Sequence, residues 1–525
     1  MIINTEITDF TYHGQPQYNE FGAQKRLLVI SYVDDDKKVK NYAQVVPDNF
    51  MYQWKLAKPN EDADKFYTSW DYKPVIKQPI RGKFSEQRVH EIIMDLVKMY
   101  PNTDAFQKIY NLNIPKTSFM DIEVDVDDSG FPAAFDKEEN GVTIQGARNT
   151  INTVSIAIGD EIHVLGLANL SNDEIQWIAN SIKEHCKQFD TEYKFFYHYH
   201  IKEEYLLNEL LFKFIRDADC ISGWNFFGYD WPYIYNRVKY HYPNIFNKMR
   251  SKYNLGGISP TGNWYNYTPK SSKNREDRVL LPYHKCMYDY MEVFETYDRS
   301  IKPKISMKLD WIAEKVLGVK KVVHQLGFKD MWEQQKKEYV FYNAIDSILV
   351  QEIDKKAKTS SNLFALANLM HTPVLAAFSS VKSIEIVQAE YLYRENKVFP
   401  TIKKEEKEKK GYEGAFVFEP TPGVYNNVLT LDYSSLYPTT IRQFNISPDT
   451  FLFKDKKHNQ KDDEIKCVSG AVYKKNVDGF IPKILTDFFG QRKHYKGEMM
   501  TAIKEKNHLL EIYKKRKENV SLDGR

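Results

Sequence analysis

Between Ser118 and Val124 the chain reads Ser-Phe-Met-Asp-Ile-Glu-Val, and Asp125 follows. Successive side chains of a β-strand point to opposite faces. Ile122 and Val124 therefore enter a core, while Asp121 and Glu123 share the other face. Two carboxylates forced together repel unless a cation neutralises them. A hard divalent ion such as Mg²⁺ suits oxygen ligands of this kind. On its own the pattern fits an edge strand with polar alternation as well.

The rest of the chain must supply a sheet and a core for that strand. At 525 residues there is room for about three or four domains of roughly 100–200 residues each. With 42% hydrophobic and 28% charged residues the chain is globular rather than disordered. No apolar run approaches the roughly 20 residues that a bilayer span needs, so no membrane partner is expected. The first ten residues lack the basic flank and apolar core of a signal peptide, and a cytoplasmic protein is expected. Cys186, Cys220, Cys286 and Cys467 form no C-x-x-C pair, which excludes the recognised zinc spacings. Net charge is only +3, but Gln491–Arg525 carries ten Lys/Arg against five Asp/Glu. Such a basic stretch is either a solvated helix face or a nucleic-acid contact.

Several elements are legible. Ser85 is placed to cap a helix carrying Val89, Ile92, Ile93, Leu96 and Tyr100, stopped by Pro101. Ile151–Ile158 and Glu161–Leu165 predict a hairpin turning at Gly159-Asp160. Tyr205–Ile215 predicts a helix, Ile221–Asn225 a strand, and Gly256–Asn274 a loop. Helix is expected from about Pro373 to Glu395 and from Ile484 to about Val520, with strands at Ala415–Phe418 and Val428–Leu431. The charge run Lys403–Lys410 reads as a solvated connector and a domain boundary.

Two further acidic positions stand out. In Gly223-Trp-Asn-Phe-Phe-Gly-Tyr-Asp230, the aspartate lies before Pro232 at a helix start, where it could act simply as an N-cap. In Tyr342-Asn-Ala-Ile-Asp346, tyrosine and aspartate four apart share one helix face. Taken in order, the three pieces resemble the motifs of proofreading 3′–5′ exonucleases. That resemblance implies a ribonuclease-H-like fold, with Asp121, Glu123, Asp230 and Asp346 as the metal-binding carboxylates. It implies that Tyr342 positions the attacking water, that one metal activates that water and that a second stabilises the leaving oxygen. Phe131 resembles an aromatic that stacks on an unpaired primer end, and an ordinary surface aromatic is its alternative.

A second group of strings is more specific still. Tyr412-Glu-Gly-Ala415 and Leu431-Asp-Tyr-Ser-Ser-Leu-Tyr437-Pro-Thr-Thr-Ile-Arg442 resemble family B DNA polymerases, the second being their first palm motif. The resemblance implies that Asp432 and the Tyr433 carbonyl bind the catalytic metals. Ser435 and Leu436 would contact the triphosphate, and Tyr437 would lie under the incoming sugar. Tyr412, Gly414 and Ala415 would touch the template strand. Arg492 and Lys496, four apart on one helix face, would grip the triphosphate as in the first fingers helix. Gly414–Pro420, Ile441–Pro448, Ile481–Lys483 and Phe489–Lys493 resemble the replicative polymerases of T-even-type bacteriophages.

The expected architecture is α/β and α+β multidomain: an N-terminal domain over 1–117 with 360–402 returning to it, a 3′–5′ exonuclease domain over 118–359, the first part of a palm over 403–470, and the first fingers helix over 471–525. The family's Lys-x-x-x-Asn-Ser-x-Tyr-Gly and Asp-Thr-Asp strings are not found. Asp432 then lacks a partner carboxylate, so this chain alone is not expected to synthesise DNA: either a second polypeptide supplies the rest of palm, fingers and thumb, or the sequence is a truncated product. The resemblance implies two Mg²⁺ per site (Mn²⁺ as substitute), primer-template, a single-stranded 3′ end, dNTP and a sliding clamp as ligands and partners, and the bacterial host cytoplasm as the location. A non-catalytic DNA-binding subunit that assembles with the complementary chain is the alternative.

Overall fold

The computed structural model describes residues 1–9, 11–12, 15–17, 24–80, 83–127, 130–139, 142–269, 278–319, 326–400 and 417–522. The chain divides into two compact units. One comprises 1–50 and 83–386, the other 51–82 and 387–525.

The first unit is organised around a six-stranded sheet. Its strands are β1 (Thr117–Val124), β2 (Ile151–Ile158), β3 (Glu161–Gly166), β4 (Lys194–Tyr199), β5 (Cys220–Ser222) and β6 (Cys286–Met287). The spatial order is β4-β3-β2-β1-β5-β6. Strand β2 is antiparallel to β1 and β3, and the other neighbours pair in parallel. One strand therefore runs against five. The β2–β3 hairpin turns at Gly159-Asp160, where Gly159 adopts φ +67°, a conformation that L side chains rarely take. Gly223, just after β5, is required by crowding, since a Cβ there would lie 2.4 Å from the Met120 carbonyl oxygen.

Helices cover both faces. They include α1 (Asn172–His185), α2 (Asp230–His241), α3 (Tyr290–Tyr297), α4 (Leu309–Leu317) and α5 (Lys336–Ala357). Strand alternation sorts β1 between two cores. Phe119 packs with Val340, Ala344, Ile345 and Ile348 of α5 on one side. Met120, Ile122 and Val124 pack with Trp231, Ile234 and Val238 of α2 on the other. Asp121 and Glu123 thus share the parity of Phe119 and face α5. Before this sheet, Ile2–Asp9, Arg26–Val33 and Val39–Val45 form a three-stranded antiparallel sheet. The helix Glu86–Met99 begins where expected, with the Ser85 side chain accepting from the Arg88 amide. The region expected to be a loop after Gly256 instead contains Trp264–Tyr267, paired antiparallel with Val279–Pro282.

The second unit contains α6 (Leu436–Gln443), the antiparallel strands β7 (Phe451–Lys454), β8 (Glu464–Lys466) and β9 (Ala471–Lys474) in the order β7-β9-β8, and α7 (Phe480–Leu522). Phe480 and Ile484 are buried at the start of α7. Val428–Leu431 is not a strand: it is irregular and exposed. An apolar run becomes a strand only with a neighbour to complete its hydrogen bonds, and no described residue pairs with this one. No helix among the described residues is long and apolar enough to cross a membrane.

Candidate active site

Asp121 and Glu123 of β1 meet Asp346 of α5. One carboxylate oxygen from each can be chosen so that all three lie within 4.8 Å of one another. Glu123 and Asp346 are buried. Three carboxylates this close repel strongly, and burial in a low-dielectric setting raises the cost of leaving them unneutralised. The donor set is all oxygen, anionic and convergent, and it fits a hard divalent cation.

Asp230 stands beside this trio as the first residue of α2 and is only 3% exposed. It does not cap its helix, since the N-cap position is Tyr229 and no side-chain capping bond is present. Its Oδ1 instead accepts from the Ile122 amide at 3.1 Å, joining α2 to β1 between the two other strand carboxylates. Burial, and then the charge of Asp121, push the Asp230 carboxyl well above the usual range. Tyr229 donates to the Pro132 carbonyl at 3.2 Å. Burial, reinforced by neighbouring Tyr233 and the Asp230, Glu123 and Asp121 charges, holds its phenol protonated. Behind Asp230, the fully buried Asp289 accepts from the amides of Phe227, Met291 and Glu292, and burial raises it to about 7.

Tyr342 lies one turn before Asp346 on α5 and is buried. Its ring meets Phe328 edge-on at 5.4 Å, and Phe328 meets Phe131 edge-on at 5.2 Å. Phe131 is 56% exposed. A continuous set of rings thus runs from the surface to the buried tyrosine. Sequence reasoning missed Phe328 and also Asn343, whose Nδ2 donates to Asp121 Oδ2 at 2.8 Å. Asn343 sits three residues before Asp346, a helical spacing that puts both on one side of α5.

The residues assigned to nucleotide handling lie in the second unit. Asp432, Tyr433 and Tyr437 are exposed, Ser435 is half-buried in a left-handed conformation, and Leu436 begins α6. Asp432 makes no side-chain hydrogen bond or ion pair with a described residue, in contrast to the enclosed trio. Helix α6 rests on α7 through Arg442, which donates to Thr486 Oγ1 at 3.1 Å and lies 5.1 Å from the Phe489 ring centre. Arg492 and Lys496 follow on α7, both exposed. Tyr412, Gly414, Ala415 and the Lys403–Lys410 run lie outside the described residues.

Residues 371–518 match the family described as DNA polymerase family B. The DNA-directed DNA polymerase of Escherichia phage RB69 is 29% identical over 312 residues, which cover 57% of this chain and 33% of the relative. That of Enterobacteria phage T4 is 28% identical over 289 residues, 53% of this chain and 31% of the relative. The DNA polymerase delta catalytic subunit of Caenorhabditis elegans is 26% identical over 306 residues, covering 56% and 28%. The chain therefore spans about a third of the length of the relatives it matches.

Proposed function

Starting from a chain that is similar to the amino-terminal portion of T-even-type family B DNA polymerases, we propose that it is the proofreading part of a replicative DNA polymerase, a metal-dependent 3′–5′ exonuclease joined to the beginning of a polymerase site. The observation that carries the nuclease reading is the convergence of Asp121, Glu123 and Asp346, with Asp230 buried beside them. The sheet order, with one strand running against the other five, supports a ribonuclease-H-like domain over 118–359.

In this reading Asp121, Glu123, Asp230 and Asp346 hold Mg²⁺ or Mn²⁺, two per site. Bound divalent ions supply an activated water and stabilise charge on the leaving oxygen. The protein's own residues do the rest. Tyr342 presents its phenol from the same helix as Asp346 and orients the nucleophile. Phe131 and Phe328 offer ring faces and edges to an unpaired 3′ base, which stacks without regard to sequence. The apolar packing of β1 fixes the spacing of the strand carboxylates before any substrate arrives.

Asp432, Tyr433, Ser435, Leu436, Tyr437, Arg492 and Lys496, with Tyr412, Gly414 and Ala415, are proposed to serve primer-template and dNTP binding. The apolar run around them supports completion of this site by further polymerase residues that cover it. Val424, Leu429 and Leu431 are each more than 80% exposed, and contiguous apolar exposure of this kind marks an interaction surface. That feature also favours the second reading, an assembly subunit whose main task is to bind the complementary chain and DNA. A sliding clamp as partner and action in the host cytoplasm are proposed on the phage likeness.

The test is degradation of a 5′-labelled single-stranded oligonucleotide with Mg²⁺, comparing the wild type with Asp121→Ala/Glu123→Ala. A ladder of 3′-shortened products that disappears in the variant supports the nuclease. A folded, metal-supplied chain giving no ladder refutes it in favour of the assembly reading.

A further inference from the structure

The helix that carries Asp346 is attached to the sheet by buried polar contacts set among apolar side chains, and one of them lies beside the carboxylates. Ser155 on β2 is the register partner of Asp121 on β1. Its hydroxyl donates to the Asn343 backbone carbonyl at 2.7 Å and lies 2.6 Å from Ser347 Oγ. Ser347 Oγ in turn donates to the Ser155 carbonyl at 3.2 Å. Ser155, Asn343 and Ser347 are all fully buried. From this anchored position Asn343 extends its amide across to Asp121, donating to Oδ2 at 2.8 Å and to the backbone carbonyl at 3.4 Å.

The other half of that amide is costly. Asn343 Oδ1 is buried and accepts no hydrogen bond from a described residue. A buried unsatisfied acceptor costs about 1–3 kcal/mol, so an apolar residue of the same volume would serve packing better. What the amide gains is control of one carboxylate. Asp121 cannot turn away from Glu123 and Asp346 without breaking its bond to a fully buried side chain whose backbone is held by Ser155.

Building on the nuclease reading, we propose that Asn343 is a positioning residue: held by the Ser155–Ser347 contact, it fixes the Asp121 carboxylate in the orientation that a divalent cation requires. Groups that orient metal ligands without touching the metal commonly contribute roughly 10- to 100-fold in affinity.

The experiment is Mn²⁺ binding to the full chain, followed by the electron paramagnetic resonance signal of free Mn²⁺. The proteins are wild type, Asn343→Leu, Asn343→Ser and Asp121→Ala. Leucine keeps the branched outline of asparagine in a bulkier form and removes the donor, and serine provides a second variant should leucine disturb folding. The expected result is a rise of roughly tenfold or more in the Mn²⁺ half-saturation of the folded Asn343 variants, with exonuclease turnover recovering at saturating Mn²⁺. A merely structural asparagine would lower the melting temperature and leave Mn²⁺ affinity unchanged. Affinity within about twofold of wild type in both folded variants would overturn the proposal while leaving the nuclease intact. Wild type binding no more Mn²⁺ than Asp121→Ala would instead overturn the nuclease reading itself, and the proposal with it.

Discussion

Asp289 offers a quantitative check on how the site's surroundings are built. It is fully buried behind Asp230, and burial raises its carboxyl from the ordinary 3.8 to about 7 despite three backbone amides that favour the charged form. A raised acid binds its proton more tightly in the folded chain than in the unfolded one. Stability is therefore highest below the unfolded value and falls as pH rises toward the folded one. At 1.36 kcal/mol for each tenfold change in proton affinity, the full loss is about 4 kcal/mol. Asp289→Asn removes the titration. Its amide nitrogen cannot accept from Phe227 or from the α3 amides, an offset of about 1–3 kcal/mol that does not vary with pH. The stability of the variant relative to wild type should thus climb by about 3 kcal/mol between pH 5 and pH 8.5. At roughly 2 °C per kcal/mol for a large domain, the difference in melting temperature should change by about 5 °C across that range. Differential scanning calorimetry at four or five pH values reads this directly. A difference that stays flat across the range refutes the argument that burial, rather than hydrogen bonding, governs this carboxyl.

Two more outcomes follow from the same structure. Arg237 on α2 grips Glu203 through Nη2 at 2.7 Å and Nε at 2.9 Å and donates to the Arg148 carbonyl at 2.6 Å, with both charged side chains under 10% exposed. Arg237→Met leaves Glu203 buried without its cation and should cost about 3–5 kcal/mol in urea denaturation; a loss below about 1 kcal/mol would contradict it. Phe131→Ala, at an exposed ring, should leave the melting temperature unchanged while weakening single-stranded DNA binding by about 1–3 kcal/mol in fluorescence anisotropy, and unaltered affinity would remove Phe131 from the DNA path.

What could be read from the sequence was what short-range geometry dictates. The alternation at Asp121 and Glu123, the Gly159-Asp160 turn, the Ser85 cap and the shared face of Tyr342 and Asp346 each depend on a few neighbouring residues, and each is present. Taken alone Asp230 reads as a cap, and only the family resemblance makes it a metal ligand, because the partner that claims it, the Ile122 amide, is 108 residues away in sequence. Asn343 lies inside the Tyr342–Asp346 motif, yet its bond to Asp121 spans 222 residues. Trp264–Tyr267 lay hidden among glycine and proline signals, although its aromatic content favours a strand once Val279–Pro282 is alongside. Val428–Leu431 failed in the opposite sense: the composition suits a strand, and no described neighbour completes it.

The same distinction separates the two acidic sites. Around Asp121 every supporting contact is made within one unit, by elements whose apolar faces pack regardless of ligand. Phe119 lies against α5, Ile122 against α2, and Ser155 joins helix to sheet. The repulsion among these carboxylates is carried by that packing, so a cation bound there would meet ligands already in place and would spend little of its binding energy on ordering them. Asp432 sits in an exposed, irregular segment bordered by apolar side chains that face solvent. A carboxylate so placed costs nothing while it waits, but it has no fixed geometry to offer. Its neighbours must be ordered before it can hold an ion, and the apolar surface beside it is where the energy for that ordering would come from. On this argument the exonuclease reading requires only a cation and a DNA end, while the polymerase reading requires first a surface that covers residues 424–437.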